Sequence, residues 1–452
     1  MTARNRCIQG LFGLTAGETE QYPGINTFCD FLESQFEGQF RTFDDRIWVA
    51  LNRPKPSNTD DFWSWCADVC RAFNQLRRVS RDRPQAGGEA QPATDNLEPT
   101  MHDVLREILP TRSSGGTDAT DQQKVLVANA VLKTLCSLST AITLDGRTQP
   151  RENRPGTPES RQVEEGTANQ VSLTIPNHPR DIIWHGPLSS YVRTPFQDYT
   201  RELRRPEETD VGNDALYESS LTYASLRRFG AIKIVWVETL KDHLVFDEVA
   251  RTLSIFRFPS VCVVRIKKPN AFLIDKNITN WTMNPNPFRP ENDIEDHGSL
   301  YREALLSYRL LFGQSGESRK LLSRELKTHR ARGALADPFL DQLSSCRWSL
   351  GNTVSPFESS LLPESLLDDN GGIMDWPTYS RVDFPFFGNQ LRRLQEYGNK
   401  HPPTGFWEYF SDRRYPRERF AAQAAVVIGT MSILLSAGQL VVAIVGATRN
   451  LQ

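Results

Sequence analysis

Several things are scarce in this sequence, and each scarcity removes a class of protein. Its seven cysteines, Cys7, Cys29, Cys66, Cys70, Cys136, Cys262 and Cys346, are odd in number and scattered. That set suits reduced thiols in the cytosol and argues against a disulfide framework. Cys66 and Cys70 stand four apart with no second pair to complete a zinc site, so they read as core residues. Charge of one sign is not in excess: 53 Lys plus Arg face 55 Asp plus Glu, a net of -2. No nucleic-acid partner is expected on that balance. The amino terminus, MTARNRCIQGLFGLTAG, carries two arginines and no sustained apolar run, so it does not read as a secretory signal.

The catalytic motifs are also missing. There is no HExxH, no paired CxxC and no Gly-x-Ser-x-Gly elbow, and no metal or cofactor is expected. Gly313–Lys320 has a superficial likeness to a phosphate loop. It lacks the Gly-Lys-Ser/Thr ending and follows a helical pattern rather than a strand, so it reads as a turn between helices.

What the chain does have is one long apolar run. From Phe420 to Ala447 no Asp, Glu, Lys or Arg occurs. As a helix that run is about 42 Å long, against a hydrocarbon core of about 30 Å, so a single transmembrane helix is expected. Arg413, Arg414, Arg417 and Arg419 precede it and only Arg449 follows, which places the bulk of the chain on the cytosolic side. With few residues after the span, the expected insertion is post-translational and tail-anchored. Ala425, Gly429, Ser432, Ser436, Gln439, Ala443 and Gly446 recur at steps of four and three, stacking small and polar residues on one face. That face is expected to pack against a second copy or another membrane protein.

The rest reads as mainly α with a small β element, an α+β class. Residues 1–146 form a helical region with a polar linker at 80–98, and 147–170 a second linker. Residues 171–411 form a central α+β region, 412–419 a basic juxtamembrane segment and 420–447 the span. Phe62, Trp65, Cys66, Val69, Cys70, Phe73 and Leu76 share one helical face. Strands are expected at Val171–Ile175, Ala231–Val237, Thr252–Phe258 and Val261–Ile266. Helices are expected at Met101–Leu109, Asp121–Ile142, Ser299–Gly313, Glu317–Arg332 and Phe387–Tyr397.

Four stretches carry a family resemblance: LRRFGAIKIVWVETLKDHLVFD, TLSIFRFPSVC, LLSYRLLFGQSGESRK and DFPFFGNQLRRLQEY, followed by the Arg-rich DRR segment and the terminal apolar run. Together they resemble a group of uncharacterised proteins of filamentous ascomycete fungi with a carboxyl-terminal transmembrane helix. The resemblance covers residues 215–449 and, more loosely, the helix at 121–142. It implies the single span and no catalytic assignment.

His243, between Asp242 and Asp247, is the best-placed base for a nucleophile such as Cys262 if the strands fold back. Nothing nearby supplies an oxyanion site, and the structural role, a histidine stapling the turn between two strands, is favoured. Arg201, Arg204, Arg205, Arg227 and Arg228 are interleaved with or followed by acids and read as a solvated face. The expected function is that of a tail-anchored, cytosol-facing interaction or scaffold protein with an unidentified protein partner. The alternatives are an enzyme of a membrane-linked pathway with a site near His243, and a membrane-active effector.

Overall fold

Thr2 starts the first helix, α1 (Ala3–Phe12), by accepting the Asn5 amide at 3.3 Å, and Gly13 closes it in the left-handed conformation at φ 66°. The computed structural model describes residues 1–40, 43–81, 100–109, 119–139, 143–144, 192–193, 215–268, 299–345, 358–362, 378–380, 384, 386–401 and 416–449. These residues are mostly helical, with a few short strands and one apolar carboxyl-terminal helix. The linker at 147–170, most of that at 80–98, the strand expected at 171–175, the arginines 201–205, and Arg413 and Arg414 lie outside the described residues.

The amino-terminal helices α2 (Ala16–Thr19), α3 (Pro23–Phe40), α4 (Asp45–Ala50), α5 (Thr59–Arg81), α6 (Met101–Ile108) and α7 (Asp121–Ser139) gather around α1 and the apolar face of α5. All the face residues anticipated on α5 are buried. Gly10 lets α1 approach closely, since a Cβ there would stand 2.9 Å from the Cys70 Cβ, and Asn74 donates to the Gly10 carbonyl at 2.9 Å. The Trp65 indole donates to Thr134 on α7 at 2.9 Å while Trp48 packs edge-on against its ring. Apolar surface thus drives the packing, and the polar edges of the aromatics fix its register.

The central region joins the same core. Phe258 meets Phe28 and Phe31 of α3 at ring separations of 5.3 and 5.1 Å, and the Arg257 guanidinium lies over Phe31 and Phe258 at 4.5 and 4.7 Å. After the short antiparallel pair β1 (Thr143–Leu144) and β2 (Val192–Arg193), strand β3 (Ala215–Tyr217) leads through α8 (Glu218–Leu221) and α9 (Tyr223–Gly230) into a three-stranded sheet. In it, β6 (Thr252–Phe256) lies between β4 (Lys233–Val237), to which it is parallel, and β5 (Phe246–Asp247), to which it is antiparallel. Leu253 and Ile255 face the core, whereas Lys233 and Val235 face outward.

One expected strand is instead a helix. Val261–Ile266 lies in α10 (Pro259–Lys267), with every residue from Pro259 to Ile266 buried. Pro259 presets the first helical position, and Asp337 receives the Ser260 amide at 2.9 Å. A helix buried on all sides shows no amphipathic period, so its β-branched run mimics a strand. Next come α11 (Ser299–Tyr308), which ends in a π-turn at Arg309–Gly313, α12 (Gly316–Ala331) and α13 (Pro338–Ser345). β7 (Thr378–Ser380) pairs antiparallel with β3, and α14 (Gly388–Asn399) packs behind them. Gln395 of α14 takes the place of a neighbouring strand: it accepts from the Tyr217 amide at 2.6 Å and donates to the Ala215 carbonyl at 2.9 Å. Last is α15 (Pro416–Arg449).

Candidate functional site

Helix α15 contrasts with everything before it. Within it, Gln423–Val441 has a mean hydropathy of 1.9 and the length to cross a membrane, and none of this stretch is buried against the protein. Ile433, Leu434 and Leu435 are 69, 68 and 67% exposed. Left in water, each such side chain would forgo about 1.5–3 kcal/mol of burial energy. The head, by comparison, buries its apolar side chains in one continuous cluster running from Cys7 to Tyr397.

Ala425, Gly429, Ser432, Ser436, Gln439 and Ala443 follow one another along α15 at helical spacing, all exposed. A Cβ at Gly429 would meet no atom within 4 Å. Gln439 and Ala443 border a shallow depression with Leu434, Leu435 and Gly438. Gly446 lies further along the helix, and Arg417 and Arg419 fall in its first turn.

The second candidate, His243, follows a 3-10 turn at Leu240–Asp242 and is completely buried. Here the chain bends away before β5 begins, aided by Leu244 at φ 63°, so the amide of Phe256 lies beyond the end of the β5 ladder. His243 takes over: its Nδ1 accepts the Phe256 N–H at 3.1 Å. Nε2 then carries the ring proton and donates to Ser307 Oγ at 2.7 Å, and Ser307 donates onward to the Ala304 carbonyl at 2.6 Å. The ring stacks on Tyr308 at 5.1 Å and meets the Phe387 edge at 5.2 Å. Tyr308 in turn donates to the Phe256 carbonyl.

Burial pushes the His243 imidazole down to about 3, so it is neutral at physiological pH. Both ring nitrogens are committed, leaving no lone pair for a thiol or water, and the proton on Nε2 points toward Ser307. That is the reverse of what base activation of a serine needs. Burial also holds the Cys262 thiol well above its ordinary range. The arrangement is therefore a staple between β6 and α11, with no provision for proton transfer.

Two buried acids do comparable structural work. Glu303 accepts the amides of Phe386, at 2.8 Å, and Phe387 at the amino terminus of α14. Burial raises its pKa, while the two amides pull it back down. Asp337 accepts the Phe339 amide at the start of α13 and, on α10, both the Ser260 amide and its hydroxyl. Its carboxyl is pushed up to about 6, chiefly by burial. Gly24 abuts this junction, where a Cβ would lie 2.0 Å from Ser260 Oγ and 2.9 Å from Asp337 Oδ1. Asp337 before Pro338 is a legible helix-start signal, but its second role at Ser260 leaves no trace in sequence.

Cys7 on α1 and Cys66 and Cys70 on α5 are buried free thiols where these two helices pack together. Burial pushes Cys29, alongside, up to about 12. Among the described residues no group of His, Cys, Asp and Glu is arranged to hold a metal ion. Arg227 and Arg228 pair with Glu325 and Glu317 of α12, as expected of a solvated face. The chain matches no family model, no curated protein and no solved structure.

Proposed function

We propose that this protein is held in a membrane by α15 with its large head on the cytosolic side, and that it works by binding another protein or itself. The resemblance of residues 215–449 to the fungal single-span group belongs to the same reading. One observation carries it: the long apolar helix lies outside the core that unites the other helices, with its apolar side chains exposed along its length. Lipid is the solvent that such a surface fits, because a helix satisfies its own backbone and each Leu or Ile contributes about 0.3–0.6 kcal/mol to insertion. Arginines upstream of the span, Arg413, Arg414, Arg417 and Arg419, support the cytosolic orientation of the head.

An interaction role is favoured over catalysis because the best-placed histidine is consumed by structural hydrogen bonds. Protease treatment of sealed microsomes carrying the full-length protein tests the orientation. Digestion of the head without detergent is expected; protection of the head until detergent is added would overturn it.

A further inference from the structure

Polar side chains in the apolar part of α15 are of two kinds. Thr430 donates back to the Val426 and Val427 carbonyls at 2.8 and 2.9 Å, and Ser432 to the Ile428 carbonyl at 2.9 Å. These hydroxyls need nothing from outside the helix. Ser436 and Gln439 are both exposed, and among the described residues no hydrogen bond engages either side chain. A serine hydroxyl can turn back to a carbonyl of its own helix as Thr430 and Ser432 do, whereas the Gln439 carboxamide is different. Two N–H donors and an acceptor oxygen stand where hydrocarbon offers no partner.

Depth sharpens the point. Gln439 lies about 8–10 Å from the midpoint of the apolar run, on the side of the carboxyl-terminal interface. Side chains on a helix lean toward its amino terminus, so Gln439 leans toward the bilayer centre and away from the nearer interface. Gln423, at the other end of the run, leans outward to its own interface and reaches water. Thus Gln439 has no route to water along its own helix.

A carboxamide is self-complementary, each one donating to and accepting from another. A second copy inserted with the same sidedness carries its own Gln439 at the same depth, which an unrelated helix does only by coincidence. The depression formed by Leu434, Leu435, Gly438 and Ala443 beside it gives a facing helix room to approach. We propose that α15 pairs in parallel with α15 of a second copy through reciprocal hydrogen bonds between their Gln439 carboxamides. This deepens the membrane reading above and rests on it.

The test is resonance energy transfer between full-length copies labelled on the exposed amino-terminal Met1 and reconstituted together in phosphatidylcholine vesicles over a range of dilutions. Wild type should show transfer above the random-encounter level. Gln439→Leu should move half-association to about a three- to tenfold higher protein-to-lipid ratio, Gln439→Asn should lie nearer wild type, and Gln423→Leu should change nothing. Equal curves for wild type and Gln439→Leu, or random transfer in wild type, overturn the pairing. Alkaline carbonate washing of the same vesicles separates the two failures. Release of wild type overturns the membrane reading and the pairing together, whereas retention with unchanged transfer overturns the pairing alone.

Discussion

Replacing His243 by Phe should destabilise the head by an amount that depends on pH in a defined direction. The substitution keeps an aromatic ring between Tyr308 and Phe387 but removes the acceptor for the Phe256 amide and the donor to Ser307. A buried amide left without a partner costs about 1–3 kcal/mol, and with the second lost bond the total is about 2–4 kcal/mol at pH 7. The native imidazole is held down to about 3 against an ordinary 6.5. Its contribution is therefore complete above pH 6.5 and is lost as pH falls toward 3, because the unfolded chain takes up the proton first. At pH 5 the loss is about 2 kcal/mol, at 1.36 kcal/mol per pH unit. The gap between wild type and variant should shrink by that amount from pH 7 to pH 5, since every other titrating group is common to both. Urea unfolding of the full-length proteins in detergent micelles, followed by tryptophan fluorescence, measures it. An unchanged gap at the two pH values would refute a neutral, fully hydrogen-bonded histidine.

Asp337→Ala should show the opposite trend. Its carboxyl is raised to about 6 from 3.8, so its contribution is greatest below pH 4 and declines by about 3 kcal/mol as pH rises past 6; the gap to wild type in the same urea assay should narrow with rising pH. Gly24→Ala forces a methyl into the Ser260–Asp337 junction and should destabilise by about 1–3 kcal/mol, whereas Gly17→Ala, with open space around it, should be near neutral in thermal unfolding. Iodoacetamide should leave Cys7, Cys29, Cys66, Cys70 and Cys262 unmodified in the native protein and alkylate them in denaturant, read by mass spectrometry, because all are buried. Alkylation of Cys66 or Cys70 without denaturant would show that α1 does not cover them.

Long, strongly periodic elements were legible in the sequence, and so was the run without charge. Helix α5 declares itself through Phe62, Val69 and Phe73, and the long apolar carboxyl-terminal helix through composition alone, because one face or all faces of a helix suffice to define them. The sheet was legible in β4 and β6, where β-branched residues and an outward Lys233 mark the strands. Helix α10 was not, since burial on every side erases the period that separates helix from strand. Helix α1 has no comparable signal in the sequence, because its buried residues, Cys7, Ile8, Leu11 and Phe12, are few and set among arginines. Contacts distant in sequence had no local signature. Glu303 caps a helix more than eighty residues away, Arg265 reaches the Leu11 carbonyl at 2.7 Å, and Cys7 finds Cys66 and Cys70 only when α1 lies along α5. His243 stood out by its chemistry, yet its role is set by Phe256 and Ser307, which come together only through the turn at Leu244.

Membrane attachment through α15 is tested most directly by fractionating cells that express the full-length protein or its Leu434→Arg, Leu435→Arg variant, with alkaline carbonate extraction of the membranes. Each arginine near the helix centre opposes insertion by about 2.5–3.5 kcal/mol. Wild type should stay in the carbonate-resistant pellet and the double variant should appear in the supernatant with its head folded. Wild type recovered in the soluble fraction without detergent, or a double variant that stays in the pellet, would contradict lipid as the solvent of α15.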